Sequence, residues 1–248
     1  MFHTSNFSNV KHAFHSRNGG ASTGNFASMN LALDKGDSIE NIKQNRKILF
    51  QLLDLKKLLT FDQVHGTDVV IVNKPWDFLD PDTPKADAII CQIPGIAIGI
   101  LTADCVPVLI HDPVTKTIAA VHAGWKGTLK GVIARTIDEM KNLGCKPQDL
   151  KCAIGPCIQQ NNYEVSQELY NDFTAQNYEN FFKPSVKHNH YMFDLPGVVE
   201  HQLNNQNVGY IDNTQICTYA DPKNYFSCRR AAHKGESSFG CQISVIIL

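Results

Sequence analysis

The chain has 248 residues, 43% of them hydrophobic and 19% charged, with 23 Lys and Arg against 24 Asp and Glu for a formal charge of −1. This length buries a sizeable core without covalent staples, and a near-neutral balance with no run of Lys or Arg argues against nucleic acid as a partner. Met1–Asn6 lacks the basic and apolar regions of a signal peptide, and the apolar run Ile96 to Leu101 is far too short for a bilayer, so a cytoplasmic protein with no membrane contact is expected.

In chain order, Ser38 to Leu53 has helical spacing, with Ser38 as the cap and Asn41 in the capping-box position. Val69 to Val72 reads as a short strand, and the Pro-rich stretch 75–84 as a surface loop that sustains neither helix nor ladder. Ala86 to Cys91, Ile96 to Thr102, Val106 to Ile110 and Thr117 to His122 are apolar, β-branched runs bounded by Gly, Pro or Asp, and predict strands. After Ala123-Gly124-Trp125-Lys126-Gly127, residues Leu129, Val132, Ile133, Thr136, Ile137 and Met140 recur at helical spacing, with Gly144 as the stop. Asp149 to Ile154 predicts a strand, Gly197 to Leu203 a helix and Gln242 to Leu248 a final strand. The intermixed elements point to one α/β (α+β) domain over residues 1–248, a mixed β-sheet core flanked by helices.

The eight cysteines, Cys91, Cys105, Cys145, Cys152, Cys157, Cys217, Cys228 and Cys241, are dispersed and contain no CxxC pair. Reduced thiols are therefore expected, several of them acting as small buried hydrophobes.

Three ligand-type residues fall at strand ends or turns. His65 precedes the strand at Val69, Cys105 lies between two apolar strands, and His122 ends the run Ala119-Ala120-Val121-His122. Two imidazoles and a thiolate suit zinc, and three protein ligands leave a fourth position open, as catalytic sites require. Zinc lowers the pKa of a water held in such a position to about 7. Taken singly, a His or Cys at a strand end is more often a hydrogen-bonded structural residue.

The flanking residues carry more than the spacing. Ser16-Arg17-Asn18-Gly19-Gly20-Ala21-Ser22, Gln63-Val64-His65-Gly66, Ala86-Asp87-Ala88, Thr102-Ala103-Asp104-Cys105-Val106-Pro107, Val121-His122-Ala123-Gly124-Trp125-Lys126-Gly127, Tyr163-Glu164-Val165, Cys217-Thr218 and Phe226-Ser227-Cys228-Arg229-Arg230 together resemble the YfiH-like or laccase-domain family over essentially the whole chain. The family also carries the names multicopper polyphenol oxidase and purine nucleoside phosphorylase. The resemblance implies a zinc site at His65, Cys105 and His122, with copper as the other metal attributed to the family. It implies phosphorolysis of adenosine, inosine, guanosine and S-methyl-5'-thioadenosine, with adenosine deamination beside it. The fold it implies is a sandwich similar to the catalytic domain of cytotoxic necrotising factor toxins.

Cys105, His122 and Asp104 are accordingly the catalytic candidates, Asp104 either as the nearby acid or as a structural anchor of the Cys105 turn. Asp87 is a second candidate carboxylate. Arg17, Gln63 and Lys126 are the substrate- and phosphate-binding candidates: Arg17 has a guanidinium suited to phosphate, followed by glycines expected to expose their amides, and Lys126 opens a helix. Arg46 on its helix is expected to be structural. No role is carried over for Arg229 and Arg230, because Cys228 and Phe239-Gly240-Cys241 depart from the family's pattern there. Two other enzyme classes stay open: a metal-free Cys105/His122 hydrolase editing peptidoglycan precursors, and a copper-dependent polyphenol oxidase, for which His188-Asn189-His190 is the one His-x-His run. A non-catalytic binding role is the remaining class.

Overall fold

The computed structural model describes residues 2–3, 7 and 10–248; of the Met1–Asn6 start, only Phe2 and His3 are among them. Strand β1 (Phe2–His3) pairs with β2 (Lys11–His15). Helix α1 (Ile39–Leu53) starts at Ser38, whose side chain accepts the Asn41 N–H, and ends where Asp54 adopts φ 48. The predicted cap thus satisfies one of the orphan amides of the first turn. The chain then forms β3 (Lys57–Leu59), β4 (Asp62–Gln63) and β5 (Val69–Ile71), and 75–84 is without helix or strand, as its prolines require.

The run expected as one strand over Ala86 to Cys91 is two, β6 (Lys85–Ala86) and β7 (Ala88–Cys91), interrupted at Asp87. Three long strands follow, β8 (Ile96–Thr102), β9 (Val106–Asp112) and β10 (Thr117–Ala123). The single helix expected next is also divided, into α2 (Trp125–Leu129) and α3 (Val132–Asn142), because Gly131 sits between them at φ 87, a region that glycine enters at no steric cost. Beyond α3 come β11 (Lys151–Ile154), β12 (Glu164–Ser166), α4 (Gln167–Thr174), β13 (Phe182–Pro184), β14 (His190–Phe193), α5 (Leu195–Asn205), β15 (Tyr210–Asn213), α6 (Cys228–His233) and β16 (Gln242–Ile247).

The core contains two large mixed sheets. One has the order β1-β2-β16-β8-β3 and the other β15-β11-β9-β10-β7-β5. Strand alternation explains the layering. Ile98 and Ile100 of β8, Leu109 of β9, and Ile118 and Ala120 of β10 meet in one cluster between the sheets. The intervening residues Val108, Ile110, Ala119 and Val121 face outward and pack with Ile133 and Ile137 of α3 and Val198 and Val199 of α5. On the other side, Leu49 and Leu53 of α1 pack on Ala97, Ile243 and Val245. Strands buried on both faces need no polar alternation, which is why they read as continuous apolar runs. The result is a helix–sheet–sheet–helix sandwich. Among the described residues, no helix is long and apolar enough to cross a membrane.

Leu49 is fully buried between α1 and its sheet. Leu49→Ala is expected to lower stability by about 2–5 kcal/mol, read from the urea midpoint, without changing the metal content of the folded protein.

Candidate metal centre and adjoining cleft

The sandwich brings three distant turns to one place. His65 stands between β4 and β5 at φ 59, Cys105 follows Asp104 (φ 94) between β8 and β9, and His122 is the penultimate residue of β10. Their ligand atoms all lie within 4.8 Å of one another. Cys105 Sγ is 3.9 Å from His65 Nε2, and the two imidazoles meet edge to face with centroids 4.7 Å apart. His122 is buried, Cys105 is half-buried and His65 is exposed on the rim, so the group opens to solvent on one side.

Asp87 connects two of these turns. Its backbone carbonyl accepts the His122 N–H at 2.8 Å, and its carboxylate Oδ1 lies 2.8 Å from His122 Nδ1 and accepts the His65 N–H at 2.9 Å. Oδ2 accepts the N–H groups of Val64 and Gly66. Bonding at Nδ1 fixes the ring and leaves Nε2 directed to a ligand position, the arrangement in which a carboxylate orients a metal-binding histidine. Burial pushes the Asp87 carboxyl up, but the His122 ring and the amides of Gly66 and His65 bring it below its ordinary value, so it stays ionised.

Burial likewise raises the Cys105 thiol, and His122 with His65 outweighs it, bringing the thiol down to about 6. His122 moves the other way: burial lowers it, yet Cys105 and Asp87 raise it to about 9. Without a metal, the two form a thiolate–imidazolium pair. Thiolate is also the form that ligates a metal.

Gly124 makes room for the group. A Cβ there would stand 2.9 Å from His65 Cδ2, 3.2 Å from Cys105 Sγ and 3.6 Å from His122 Cε1. No side chain fits without displacing a ligand. The chemistry of the donor set and this cradle both fit a metal ion held by His65, Cys105 and His122.

The remaining candidates separate. Asp104 has both oxygens engaged: Oδ1 accepts the Thr218 hydroxyl at 2.7 Å, and Oδ2 accepts the Ser227 hydroxyl at 2.9 Å and the Arg229 N–H at 2.7 Å. It anchors the Cys105 turn, and Asp87 is the carboxylate that touches a ligand. Gln63 donates to the Leu101 carbonyl and accepts the Leu101 N–H, both at 2.7 Å, so its amide joins β4 to β8 and is not free for substrate. Lys126 is exposed on the five-residue α2, its ammonium 5.4 Å from the Trp125 ring centroid. Arg17 bonds the carbonyls of Ala27 and Pro222 and lies 4.3 Å over the Phe226 ring, in a small cavity of about 200 Å³ shared with Arg230 and Lys234. Of the glycine amides expected to be exposed beside it, that of Gly20 is used internally, donating to Ser28 Oγ, and so are the two amides that follow, Ala21 N–H to Asn45 Oδ1 and Ser22 N–H to the Ser28 carbonyl. Arg46 is structural as expected, donating to the Leu58 carbonyl and stacking 3.7 Å over Phe78.

Sequence reasoning assigned nothing to Arg229, which the structure places beside the site. A cleft of about 460 Å³ is lined by Trp125, Tyr163, Glu164, Lys187, His190 and Arg229, among others. Trp125 follows Gly124, and the Arg229 amide holds Asp104, so the cleft adjoins the three ligands. The Arg229 guanidinium donates to the Glu164 carbonyl and lies 5.1 Å over the Tyr163 ring. Its place in the Phe-Ser-Cys-Arg-Arg segment was the only available signal. Arg230 next to it is spent on the carbonyls of Thr218, Tyr219 and Tyr225.

A family profile described as multi-copper polyphenol oxidoreductase laccase matches residues 11–248. A protein of Rickettsia conorii named purine nucleoside phosphorylase is 35% identical over 220 residues, 87% of this chain and 89% of that protein. One of the same name from Bacteroides thetaiotaomicron is 31% identical, over 93% of this chain and 90% of that protein. The crystal structure of a Neisseria meningitidis protein superposes with a TM-score of 0.88 at 31% identity, covering 100% of this chain and 98% of that one.

Asp87→Asn is expected to weaken metal binding by about 10–100-fold, and Gly124→Ala to prevent it while the protein stays folded, as checked by chelator competition and circular dichroism. Metal uptake must displace the His122 proton up to about 9 and, below about 6, the Cys105 proton as well. Apparent affinity should therefore rise about tenfold per pH unit between those values and more steeply below them, in the same competition run across pH.

Proposed function

This chain belongs to the multi-copper polyphenol oxidoreductase laccase family, and on that premise we propose that it is a zinc-dependent purine nucleoside phosphorylase. The observation that carries the proposal is the His65, Cys105 and His122 group with Asp87 behind it, in a chain that aligns over most of its length with relatives named for that activity. The proposed substrates are adenosine, inosine, guanosine and S-methyl-5'-thioadenosine together with inorganic phosphate. Adenosine deamination is a side activity of the same centre.

Two imidazoles and one thiolate favour zinc, and three protein ligands leave one position for a substrate atom or water. Bound there, zinc supplies a Lewis acid. Copper also takes a set of two histidines and a cysteine, but oxidation by several coupled coppers needs more than one ligand group, and among the described residues one group of three or more metal-capable side chains is found. His188 and His190 do not add to it; His188 is exposed, and His190 faces the cleft.

The protein's own side chains divide the remaining work. Trp125 on the cleft wall offers a flat apolar face to a purine, as aromatic rings do for a planar ligand. Arg229, with Lys187 and His190, supplies positive charge for the phosphate that attacks C1′ as the C1′–N bond to the base breaks. A planar guanidinium suits phosphate, as its paired donors match two oxygens at once. Arg17 is the further phosphate candidate, in the smaller cavity. Asp87 keeps His122 in one orientation and tautomer throughout, and Asp104 keeps Cys105 on a rigid turn.

One observation favours a second reading. Without metal, Cys105, His122 and Asp87 line up as a thiolate, an imidazolium and an orienting carboxylate, the arrangement of a thiol hydrolase. The two readings diverge on what metal does to activity.

Purified protein is expected to carry one zinc per chain and to release free base and ribose-1-phosphate from nucleoside plus phosphate. Cys105→Ser should lose both zinc and turnover, and zinc should shield Cys105 from alkylation. Metal-free protein that keeps full phosphorolysis, lost in step with Cys105 alkylation, would sink the zinc reading; metal-free protein that forms no ribose-1-phosphate but hydrolyses a substrate through Cys105 would leave the hydrolase.

A further inference from the structure

Two cysteines outside the metal centre are held side by side. Cys157 follows β11 and Cys217 follows β15, and the two form an isolated parallel bridge in which Cys157 N–H donates to the Ile216 carbonyl and Thr218 N–H donates to the Cys157 carbonyl. Register partners present their side chains on the same face. Neighbouring strands lie about 4.7–4.9 Å apart, within the range of about 4.4–6.8 Å that Cα atoms span in a disulfide.

The sulfurs share their surroundings. Gln159 donates through its side-chain amide to Cys157 Sγ at 3.2 Å and through its backbone N–H to Cys217 Sγ at 3.5 Å, and Asn162 Nδ2 donates to Cys217 Sγ at 3.3 Å. Cys217 is half-buried, so a small reagent reaches it, whereas Cys157 is fully buried and held as a thiol by that burial. The attacking and resolving sulfurs are thereby distinguished.

We propose that Cys157 and Cys217 are a redox-active dithiol that closes reversibly by exchange with a low-molecular-weight disulfide such as oxidised glutathione. Cys217 gives up its proton and attacks one sulfur of the external disulfide, whose S–S bond breaks so that the other sulfur leaves with that proton as a thiol and a mixed disulfide remains on Cys217. Cys157 then attacks Cys217 Sγ, its proton passing to the second thiol as that leaves. The protein loses two electrons and two protons, and one external disulfide becomes two thiols.

The bond would act on the site next to it. Residues 158–216 between the two cysteines include Tyr163, Glu164, Lys187 and His190 of the cleft wall. The immediate neighbours also hold Asp104, Ile158 N–H donating to its carbonyl and Thr218 Oγ1 to its carboxylate. The disulfide therefore fastens together the two backbone segments that position the Cys105 turn.

The test is to equilibrate the full, metal-loaded protein in glutathione buffers of graded ratio, quench with acid, alkylate, and map the cysteines by peptide mass spectrometry. A Cys157–Cys217 disulfide that appears at the oxidised end and reopens at the reduced end supports the proposal. Persistent free thiols at both positions, a glutathione adduct left unresolved on Cys217, or a bond to another cysteine overturns it. Because the mapping is made on the unaltered protein, the result does not depend on a variant folding; Cys217→Ser, where it folds, should take up no disulfide at Cys157. A second readout alone rests on the metal-centre reading: release of metal to a chelator should be severalfold slower in the oxidised form. A disulfide that forms with no change in release overturns the coupling to the Cys105 turn, and a protein that binds no metal leaves the mapping result intact.

Discussion

A single buried carboxylate makes the candidate site a unit. Asp87 accepts three consecutive amides from the turn that carries His65 and holds the ring of His122 by Nδ1. An ionised carboxylate in that position is costly to bury alone, and the amides and the imidazole offset the cost together. Loosening either turn would leave it short of partners. His65 and His122, far apart in the chain, are therefore positioned by the same two oxygens, and the His65 loop holds its left-handed backbone because three of its N–H groups point inward.

The rest of the fold serves that constraint. The break between β6 and β7 at Asp87 lets the residue leave the ladder and turn its carboxylate toward the neighbouring loop. The long ladder of β9 and β10 sets the Cys105 and His122 ends side by side, since Ala123 pairs with Val106. Asp104 gives the Cys105 turn its own rigid attachment through Thr218, Ser227 and Arg229. Two carboxylates thus fix the turns that carry the three candidate ligands, and Gly124 leaves the space into which they converge. Groups held this way need little rearrangement to take a metal, the preorganisation that binding sites on rigid elements offer.

The cleft is built from a different part of the chain. Its wall comes largely from β12, α4 and the His190 strand, with Arg229 contributed by α6. The metal centre and the cleft meet at Trp125 and at the Asp104–Arg229 contact. The candidate ligands sit at strand ends of the sandwich, while most of the cleft lining comes from β12, α4 and β14.

Periodicity and residue type were enough for much of this molecule. The strands at Ile96–Thr102, Val106–Asp112 and Thr117–Ala123, and the Ser38-capped helix, follow from side chains and caps acting on their own segment. His65, Cys105 and His122 could be named as candidates because their flanking segments resemble the family's; donor chemistry alone says only that such residue types suit a metal. The division of the core into two facing sheets, the choice of Asp87 as the ligand's partner, the consumption of the amides after Arg17, the occupied amide of Gln63 and the place of Arg229 were decided only in the tertiary structure. Each depends on hydrogen bonds or packing between segments tens of residues apart, and a carboxylate, amide or guanidinium looks the same in sequence whether its partner is a ligand, a backbone carbonyl or open solvent.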